Sequence, residues 1–136
     1  RESYRRLIPG GRIFTAFISR LGITGELMRR IPEWVEDQTE VRSVMTLGRD
    51  PEHHPGGGFR GYFARVDEIA ALHEVVGFQT LQLAGVEPGI SADDESYNSL
   101  EGERRRLWLD LLYEISTEPS IVGASRHLLF IGQKPA

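Results

Sequence analysis

The first clear pattern in the chain is a short apolar run that follows a glycine turn. Residues 12–18 have no polar face, since Thr15 is the one polar side chain after Arg12, and Pro9-Gly10-Gly11 stands directly before them. Proline fixes φ and the two glycines let the backbone reverse, so the preceding segment ends there. A run of this length that is apolar on both faces predicts a central strand with cover on both sides.

Further strands are predicted along the chain by the same kind of pattern. Residues 78–86 alternate apolar and polar side chains, and the apolar run at 127–133 predicts the last strand. Residues 41–47 alternate only loosely and predict a weak strand, and 59–63 predict a short strand or extended entry. The glycine- and proline-rich residues 48–61 predict a loop.

Four segments have the residue spacing of helices. They are residues 1–8, 24–37, 66–76 and 101–116. The second of these is expected to break near Arg30, because Pro32 lacks the N–H that a helix interior needs. The buried face of the longest predicted helix is expected to consist of Trp108, Leu111, Leu112 and Ile115.

The composition bounds the class of protein. The 136 residues carry a formal net charge of −4 and no cysteine. We therefore expect one domain, no nucleic-acid partner and no disulfide or thiolate metal site, which fits a cytoplasmic location. No apolar run approaches the ~20 residues that a membrane span needs, so we expect no membrane partner. The chain opens at Arg1 in a helical pattern, and we expect it to be a piece of something longer.

The four histidines are the first candidates for chemistry. His53 and His54 lie in the predicted loop without a third ligand at helical spacing, so we predict no metal site. His73 lies at the edge of a predicted helix, where a half-buried structural role is expected. His127 begins the last strand, and strand ends are where α/β proteins place ligands.

Two other runs are weak candidates. Residues 56–61 superficially resemble a phosphate-binding loop, but they follow no convincing strand and carry no Lys-Ser or Lys-Thr pair, so a flexible loop is expected. Residues 104–106 are three arginines at the start of a helix, where a solvated face is expected. The motifs of the chain by themselves show no catalytic constellation.

Three landmarks in order resemble the C-terminal half of one enzyme family. They are Leu7-Ile8-Pro9-Gly10-Gly11-Arg12-Ile13 before the first strand, Tyr62-Phe63-Ala64-Arg65-Val66-Asp67-Glu68-Ile69 followed by Val76-Gly77-Phe78, and Arg126-His127-Leu128-Leu129-Phe130-Ile131-Gly132-Gln133-Lys134-Pro135. They resemble the turn before the fifth strand, the helix and sixth strand, and the seventh strand of class I S-adenosylmethionine-dependent methyltransferases. Together they cover nearly the whole chain.

The resemblance implies a fold and an activity. It implies the C-terminal part of a Rossmann-like α/β fold, with a three-stranded mixed sheet of strands 12–18, 78–86 and 127–133, the last of them antiparallel and central. The parent protein would bind S-adenosylmethionine and methylate an unknown small molecule. The family's glycine-rich loop and the acidic end of its second strand have no counterpart here. No cofactor-binding residue can therefore be assigned, and the chain alone is expected to be inactive.

The resemblance also indicates where a substrate would lie. Ser19, Arg20, Glu87, Arg126 and His127 are expected at the end of the sheet that binds ligands in open α/β folds. Trp34, Tyr62 and Phe63 are candidate walls for an apolar part of the substrate. The segment 21–60 is expected to cap the substrate pocket. No catalytic residue is assigned.

Two further expectations concern partners and the competing fold. Cutting the fold before the fifth strand would expose the edge of strand 12–18, so self-association through that edge is expected. Without the resemblance, strands and helices up to residue 86 also match a ferredoxin-like βαββαβ unit, which would be a non-enzymatic ligand-binding or dimerisation module. The partner of strand 12–18 discriminates the two: the last strand in the methyltransferase fold, or a strand near Phe59 or Phe78 in the other.

Overall fold

The computed structural model describes residues 1–49, 61–87 and 93–136. The helices are α1 (Glu2–Arg6), α2 (Thr24–Arg30), a 3₁₀ helix (Pro32–Glu36), α3 (Gln38–Leu47), α4 (Val66–Glu74), α5 (Asp94–Asn98), α6 (Gly102–Ile115) and α7 (Pro119–Ala124). The strands are β1 (Arg12–Ser19), β2 (Phe63–Ala64), β3 (Gln79–Gly85) and β4 (His127–Gln133). The chain is thus a mixed α/β protein.

The four strands form one mixed sheet in the order β2-β1-β4-β3. Strand β4 is antiparallel to β1 from Arg12↔Gln133 to Ile18↔His127, and it is antiparallel to β3 on its other side. Strand β2 is parallel to β1 and pairs only with Ile18 and Ser19. The expected central, antiparallel position of the last strand is confirmed. The expectation of three strands is wrong, because the short β2 adds a fourth at the edge.

The turn before β1 is tied to the end of β4. Gly10 has φ of 76°, a conformation that glycine adopts without a Cβ clash. Its N–H donates to the carbonyl of Lys134 at 2.9 Å, and the N–H of Lys134 donates to Gly11 at 2.9 Å. The Lys134 ammonium donates to the carbonyls of Tyr4 and Leu7 and so caps the end of α1. The first helix and the last strand therefore stabilise each other.

The core lies on one face of the sheet. Its buried members are Ala64, Ile69, Val122, Leu128 and Phe130. The ring of His73 stacks on Phe130 with 3.8 Å between centroids. Nδ1 of His73 lies 2.8 Å from the carbonyl of Ile69, and Nε2 lies 3.1 Å from Thr15 Oγ1. A carbonyl only accepts, so Nδ1 carries the proton and Nε2 accepts from Thr15. His73 has the expected structural role, but it is buried rather than half-buried.

The opposite face of β1 is not covered by the described residues. Phe14 is 62% exposed and Ala16 is also exposed, although Phe14 pairs with Ile131 of the central strand. The expectation that β1 is covered on both sides is therefore wrong for the part of the chain that the structure describes. Nor does any strand within the described ranges pair with the outer edge of β1 between Arg12 and Phe17.

The predicted weak strand at 41–47 is a helix. Asp37 caps α3 through its carboxylate, which accepts from the N–H groups of Thr39 and Glu40, and Gly48 ends the helix with φ of 68°. The prediction of a strand from the loose alternation was wrong because these caps, and not the side-chain pattern, determine the conformation. Of the strand predicted at 59–63, the structure shows a strand only from Phe63, where β2 begins. Residues 59 and 60 lie outside the described ranges. The break near Arg30 is confirmed: α2 ends there and the 3₁₀ helix begins at Pro32.

Helix α6 is less buried than its sequence predicts. Leu112 is buried, but Trp108 and Leu111 are each 45% exposed, so the expected buried face is wrong for these two residues. Helix α7, which the sequence did not predict, begins with Pro119 in its first turn and reverses the chain into β4. Among the described residues no helix has the length and apolar character to cross a bilayer.

Candidate functional site

The pairing of the strands brings three chain segments to one edge of the sheet. The first strand ends at Ser19, β3 ends two residues before Glu87, and β4 begins at His127. Because β4 is antiparallel to both neighbours, its first residue lies beside the ends of the other two. The N–H of Ser19 donates to the carbonyl of Arg126 at 2.8 Å and closes this edge. Candidate side chains from distant parts of the sequence therefore meet here.

The first cluster at this edge, the Arg126 cluster, consists of Arg126, Glu87, His127 and Glu26. Arg126 donates to both carboxylate oxygens of Glu87, from Nε at 2.9 Å and from Nη2 at 2.8 Å. Its third nitrogen, Nη1, donates to Glu26. His127 Nδ1 lies 2.9 Å from Glu87. The arginine side chain is only 9% exposed, so it relies on these two carboxylates to offset its burial.

The charges of the Arg126 cluster keep its carboxylates ionised. Burial by itself raises the pKa of Glu87, but hydrogen bonds from Arg126 and His127 outweigh it and hold the pKa below its ordinary value. Burial likewise raises the pKa of Glu26, and hydrogen bonds from Arg29 and Arg126 outweigh it. Both groups are therefore anionic acceptors at neutral pH.

The second cluster, the Arg20 cluster, consists of Arg20, Tyr62 and Glu68. Arg20 is 2% exposed, and all three of its guanidinium nitrogens donate. Nε donates to the carbonyl of Phe63 at 3.0 Å, Nη1 to that of Thr46 at 3.2 Å, and Nη2 to Tyr62 and Glu68 at 3.1 Å. The end of β1 is thereby fixed to α3, β2 and the start of α4. A guanidinium used in this way supports the fold.

Tyr62 and Glu68 are strongly coupled within the Arg20 cluster. The hydroxyl of Tyr62 donates to Glu68, and this hydrogen bond raises the pKa of Tyr62. Burial by itself raises the pKa of Glu68, but the hydrogen bonds from Tyr62 and from the N–H of Arg65 leave it lowered. The carboxylate of Glu68 also accepts at the start of α4, where it favours the positive end of the helix dipole.

The eight predicted substrate-side residues thus divide into groups. Glu87, Arg126 and His127 form the Arg126 cluster, and Arg20 and Tyr62 join the Arg20 cluster. Phe63 contributes its carbonyl to the Arg20 cluster and is half-buried. Ser19 is buried between the two, and its hydroxyl accepts from Gly22 at 3.1 Å. Trp34 is half-buried on the 3₁₀ helix, and within the described ranges it joins neither cluster by a hydrogen bond or ion pair.

Two carboxylates that complete these clusters were not predicted. Glu26 lies 100 residues from its partner Arg126, and Glu68 lies 48 residues from Arg20. The spacing of Glu26 to Arg29 and Arg30 indicates only a local helical ion pair. No local pattern could identify either carboxylate as a partner of a distant arginine.

A cavity of about 510 Å³ lies beside the Arg126 cluster, between α6 and the sheet. Its floor, on the sheet, is formed by Gln82, Ala84, Leu129 and Ile131, and its roof, on α6 and just after it, by Leu109, Leu112, Tyr113 and Ser116; Tyr97 and Glu87 also line it. The sequence analysis missed this cavity, because Leu109 and Tyr113 were not assigned to the inner face of α6. Its size is that of a small-molecule site.

In the part of the chain that the structure describes, no group of three His, Asp or Glu side chains could hold a metal ion. His53, His54 and the glycine run 56–61 lie outside or at the border of the described ranges. The part of the expected cap at 50–60 lies outside them as well, and its described part is α2, the 3₁₀ helix and α3.

The chain was compared with known proteins at the level of families and of individual sequences. No protein-family model matches it, and the curated proteins contain no match to it.

Proposed function

We propose that this chain is the C-terminal part of a class I S-adenosylmethionine-dependent methyltransferase domain whose acceptor is a small molecule. The observation that carries this proposal is the position of β4, antiparallel between β1 and β3 along its whole length. The family resembled by the sequence has this order for its fifth, seventh and sixth strands. A strand that runs against both neighbours in the middle of a sheet requires a specific chain path, so the agreement supports a Rossmann-like parent fold.

The three sequence landmarks occupy matching places in the structure, which supports the same proposal. The proline-glycine-glycine turn stands before β1, and Gly77, with φ of 108°, joins α4 to β3. The edge of the Tyr4 ring packs against Phe78 at 5.0 Å between centroids, beside this glycine. Lys134 follows β4 and caps α1. Each landmark therefore has a structural reason in this chain.

The glycine that follows β1 does not fit a cofactor-binding loop. Phosphate- and nucleotide-binding loops need glycines that leave open space for the ligand. Gly22, which follows β1, has no such space, because a Cβ there would overlap the carbonyl of Ser125. This glycine serves packing within the chain. We therefore assign no residue here to S-adenosylmethionine and derive no step of methyl transfer.

The ferredoxin-like alternative is not supported by the sheet. It requires a strand at 41–47, where the structure has α3, and it pairs strand 12–18 with a strand near Phe59 or Phe78. The first strand pairs with β4 over seven positions and with β2 over two. The last strand is central rather than peripheral, so we do not retain the alternative.

The test of the proposed function begins with the reading frame that encodes the chain. We expect about a hundred further residues upstream, with a strand followed by a glycine-rich loop. Calorimetric titration with S-adenosylmethionine should then show binding to the product of the complete frame and none to residues 1–136 alone. Binding by neither protein, or a frame that begins at Arg1, would contradict the proposal.

A further inference from the structure

We propose that the cavity beneath α6 binds a neutral aromatic molecule that carries one hydroxyl or amine group, with that group beside Glu87. This inference stands on the geometry of the cavity. It holds whether or not the methyltransferase proposal does, because binding rather than turnover is what tests it.

The roof of the cavity is attached to its neighbours at two points. At the C-terminal end of α6, the carbonyl of Ser116 accepts from the N–H of Gly85 at 2.8 Å, which fixes the helix to the end of β3. At the other end, the guanidinium of Arg105 lies over the ring of Tyr97 on α5 at 5.6 Å from its centroid. Between these points the floor carries the small residue Ala84, which leaves room that a larger side chain would fill.

The walls favour an aromatic ligand. Leu109, Leu112, Leu129 and Ile131 give the floor and roof apolar surfaces, and the two tyrosines Tyr97 and Tyr113 add aromatic rings to the lining. Offset or edge-on contacts between rings add to the free energy of burial. No charged side chain other than Glu87 lines the cavity among the described residues. A charged ligand group would lose its hydration here, and the charge of Glu87 is already balanced by Arg126.

The carboxylate of Glu87 favours a ligand that donates a hydrogen bond. All three guanidinium nitrogens of Arg126 already donate to Glu87 or Glu26. His127 shares the cavity side of β4 with Leu129 and Ile131, because alternate residues of a strand point to one face. Its Nδ1 lies 2.9 Å from a carboxylate oxygen of Glu87. The ionised carboxylate of Glu87 is thus the acceptor that the cavity presents to a hydroxyl or amine.

The experiment compares two probes of similar shape on the protein made from its complete reading frame. The probe 2-naphthol has the hydroxyl donor, and 2-methoxynaphthalene lacks it. With ¹³C-labelled methyl groups, NMR titration should shift Leu109, Leu112, Leu129 and Ile131, which line the cavity, and leave Leu72 on the other side of the sheet unchanged. We expect 2-naphthol to bind about tenfold more tightly, as a hydrogen bond to a charged acceptor predicts.

Two variants locate the site. Leu109→Trp fills the cavity from its half-exposed roof, and Ala84→Leu fills it from the floor, so both should abolish binding. Val75→Trp adds the same bulk at an exposed position on the opposite side and should bind normally. If Ala84→Leu does not fold, Leu109→Trp alone decides.

Three outcomes overturn the proposal. If 2-naphthol binds Leu109→Trp as tightly as the unchanged protein, the cavity is not the binding site. If the two probes bind with equal affinity, the hydroxyl donor does not contribute to binding. Methyl shifts that depend on protein concentration without any probe would show that a second copy covers the cavity instead.

Discussion

Arg126 and Glu87 form a two-point pair, with Nε to Oε2 at 2.9 Å and Nη2 to Oε1 at 2.8 Å, that joins the residue before β4 to the residues after β3. Such a fork fixes both distance and orientation, which a single contact does not. The same guanidinium holds Glu26 on α2. One side chain therefore orders three segments at this edge of the sheet.

Removal of this arginine should destabilise the fold strongly. Arg126→Ala leaves two partly buried carboxylates without their main partner, and breaking a buried pair in this way costs about 3 kcal/mol. The free energy of unfolding from urea denaturation measures the loss. Arg106→Ala is the matched control, since its pairs with Glu103 and Asp110 are exposed and should contribute less than about 1 kcal/mol. Equal losses for the two variants would show that the Arg126 cluster is not a structural pair.

The stability of the chain should fall in acid. The pKa values of Glu26, Glu68 and Glu87 lie below their ordinary value of 4.5 in the folded state. The unfolded chain therefore takes up protons first as the pH falls, so the stabilisation is complete above the ordinary value and is lost below about pH 5. Urea midpoints measured from pH 7 down to pH 3 should decrease. In Glu87→Gln the urea midpoint should decrease less between pH 7 and pH 3. The same decrease as in the unchanged protein would show that the Glu87 carboxylate does not contribute to the pH dependence.

Crowding around Arg20 should make Gly48 hard to replace. In Gly48→Ala the new Cβ would meet Arg20 Nη2 and the carbonyl of Phe63, in addition to the strain of positive φ. Gly102→Ala is the control, because Gly102 also has positive φ, at 54°, but its new Cβ would have no atom of the described residues within 4 Å. The control should lose about 1 kcal/mol of unfolding free energy from backbone strain alone. Gly48→Ala should lose clearly more unfolding free energy. Equal losses would mean that the Arg20 cluster can move to accommodate the new Cβ without loss of stability.

The sequence predicted the sheet better than it predicted the site. Strands β1, β3 and β4 were found because runs of apolar or alternating residues are bounded by glycine and proline turns. The prediction of a strand at 41–47 was wrong because the caps Asp37 and Gly48 determine the helix there. Both caps lie outside the stretch whose apolar pattern was used.

The site was predicted only as far as strand ends could place it. Glu87, Arg126 and His127 do meet, because the order of the strands determines where strand ends lie. Glu26 and Glu68 were missed because their partners are distant in sequence. The cavity was missed because it depends on how α6 is attached to β3. These ion pairs and the cavity depend on tertiary packing, which no local sequence pattern indicates.

The hydrogen bond between Thr15 and His73 should be worth more than a similar one at the surface. Thr15→Val removes the donor to Nε2 of the buried ring, and we expect a loss of about 1 kcal/mol of unfolding free energy. Thr80→Val is the same change on β3, where the hydroxyl donates to Glu74 in an exposed setting, and it should cost less. Thermal or urea unfolding of both variants measures the difference. A larger loss for Thr80→Val would contradict the assigned role of Thr15.

The outer edge of β1 should cause this chain to self-associate. Among the described residues that edge is paired only at Ile18 and Ser19, and Phe14 beside it is 62% exposed. Unpaired N–H and C=O groups next to exposed apolar side chains favour pairing with another chain. Light scattering should therefore show oligomers whose population rises with concentration.

A charge at the edge of β1 should weaken that association. Phe14→Lys should shift the equilibrium toward monomer, because charged side chains oppose pairing between strand edges. Val75→Lys, at another exposed apolar position, should leave it unchanged. The methyltransferase proposal implies a further strand that pairs with β1, so the product of the complete reading frame should not associate through this edge. A chain that stays monomeric at high concentration would show that the edge is protected without any partner strand.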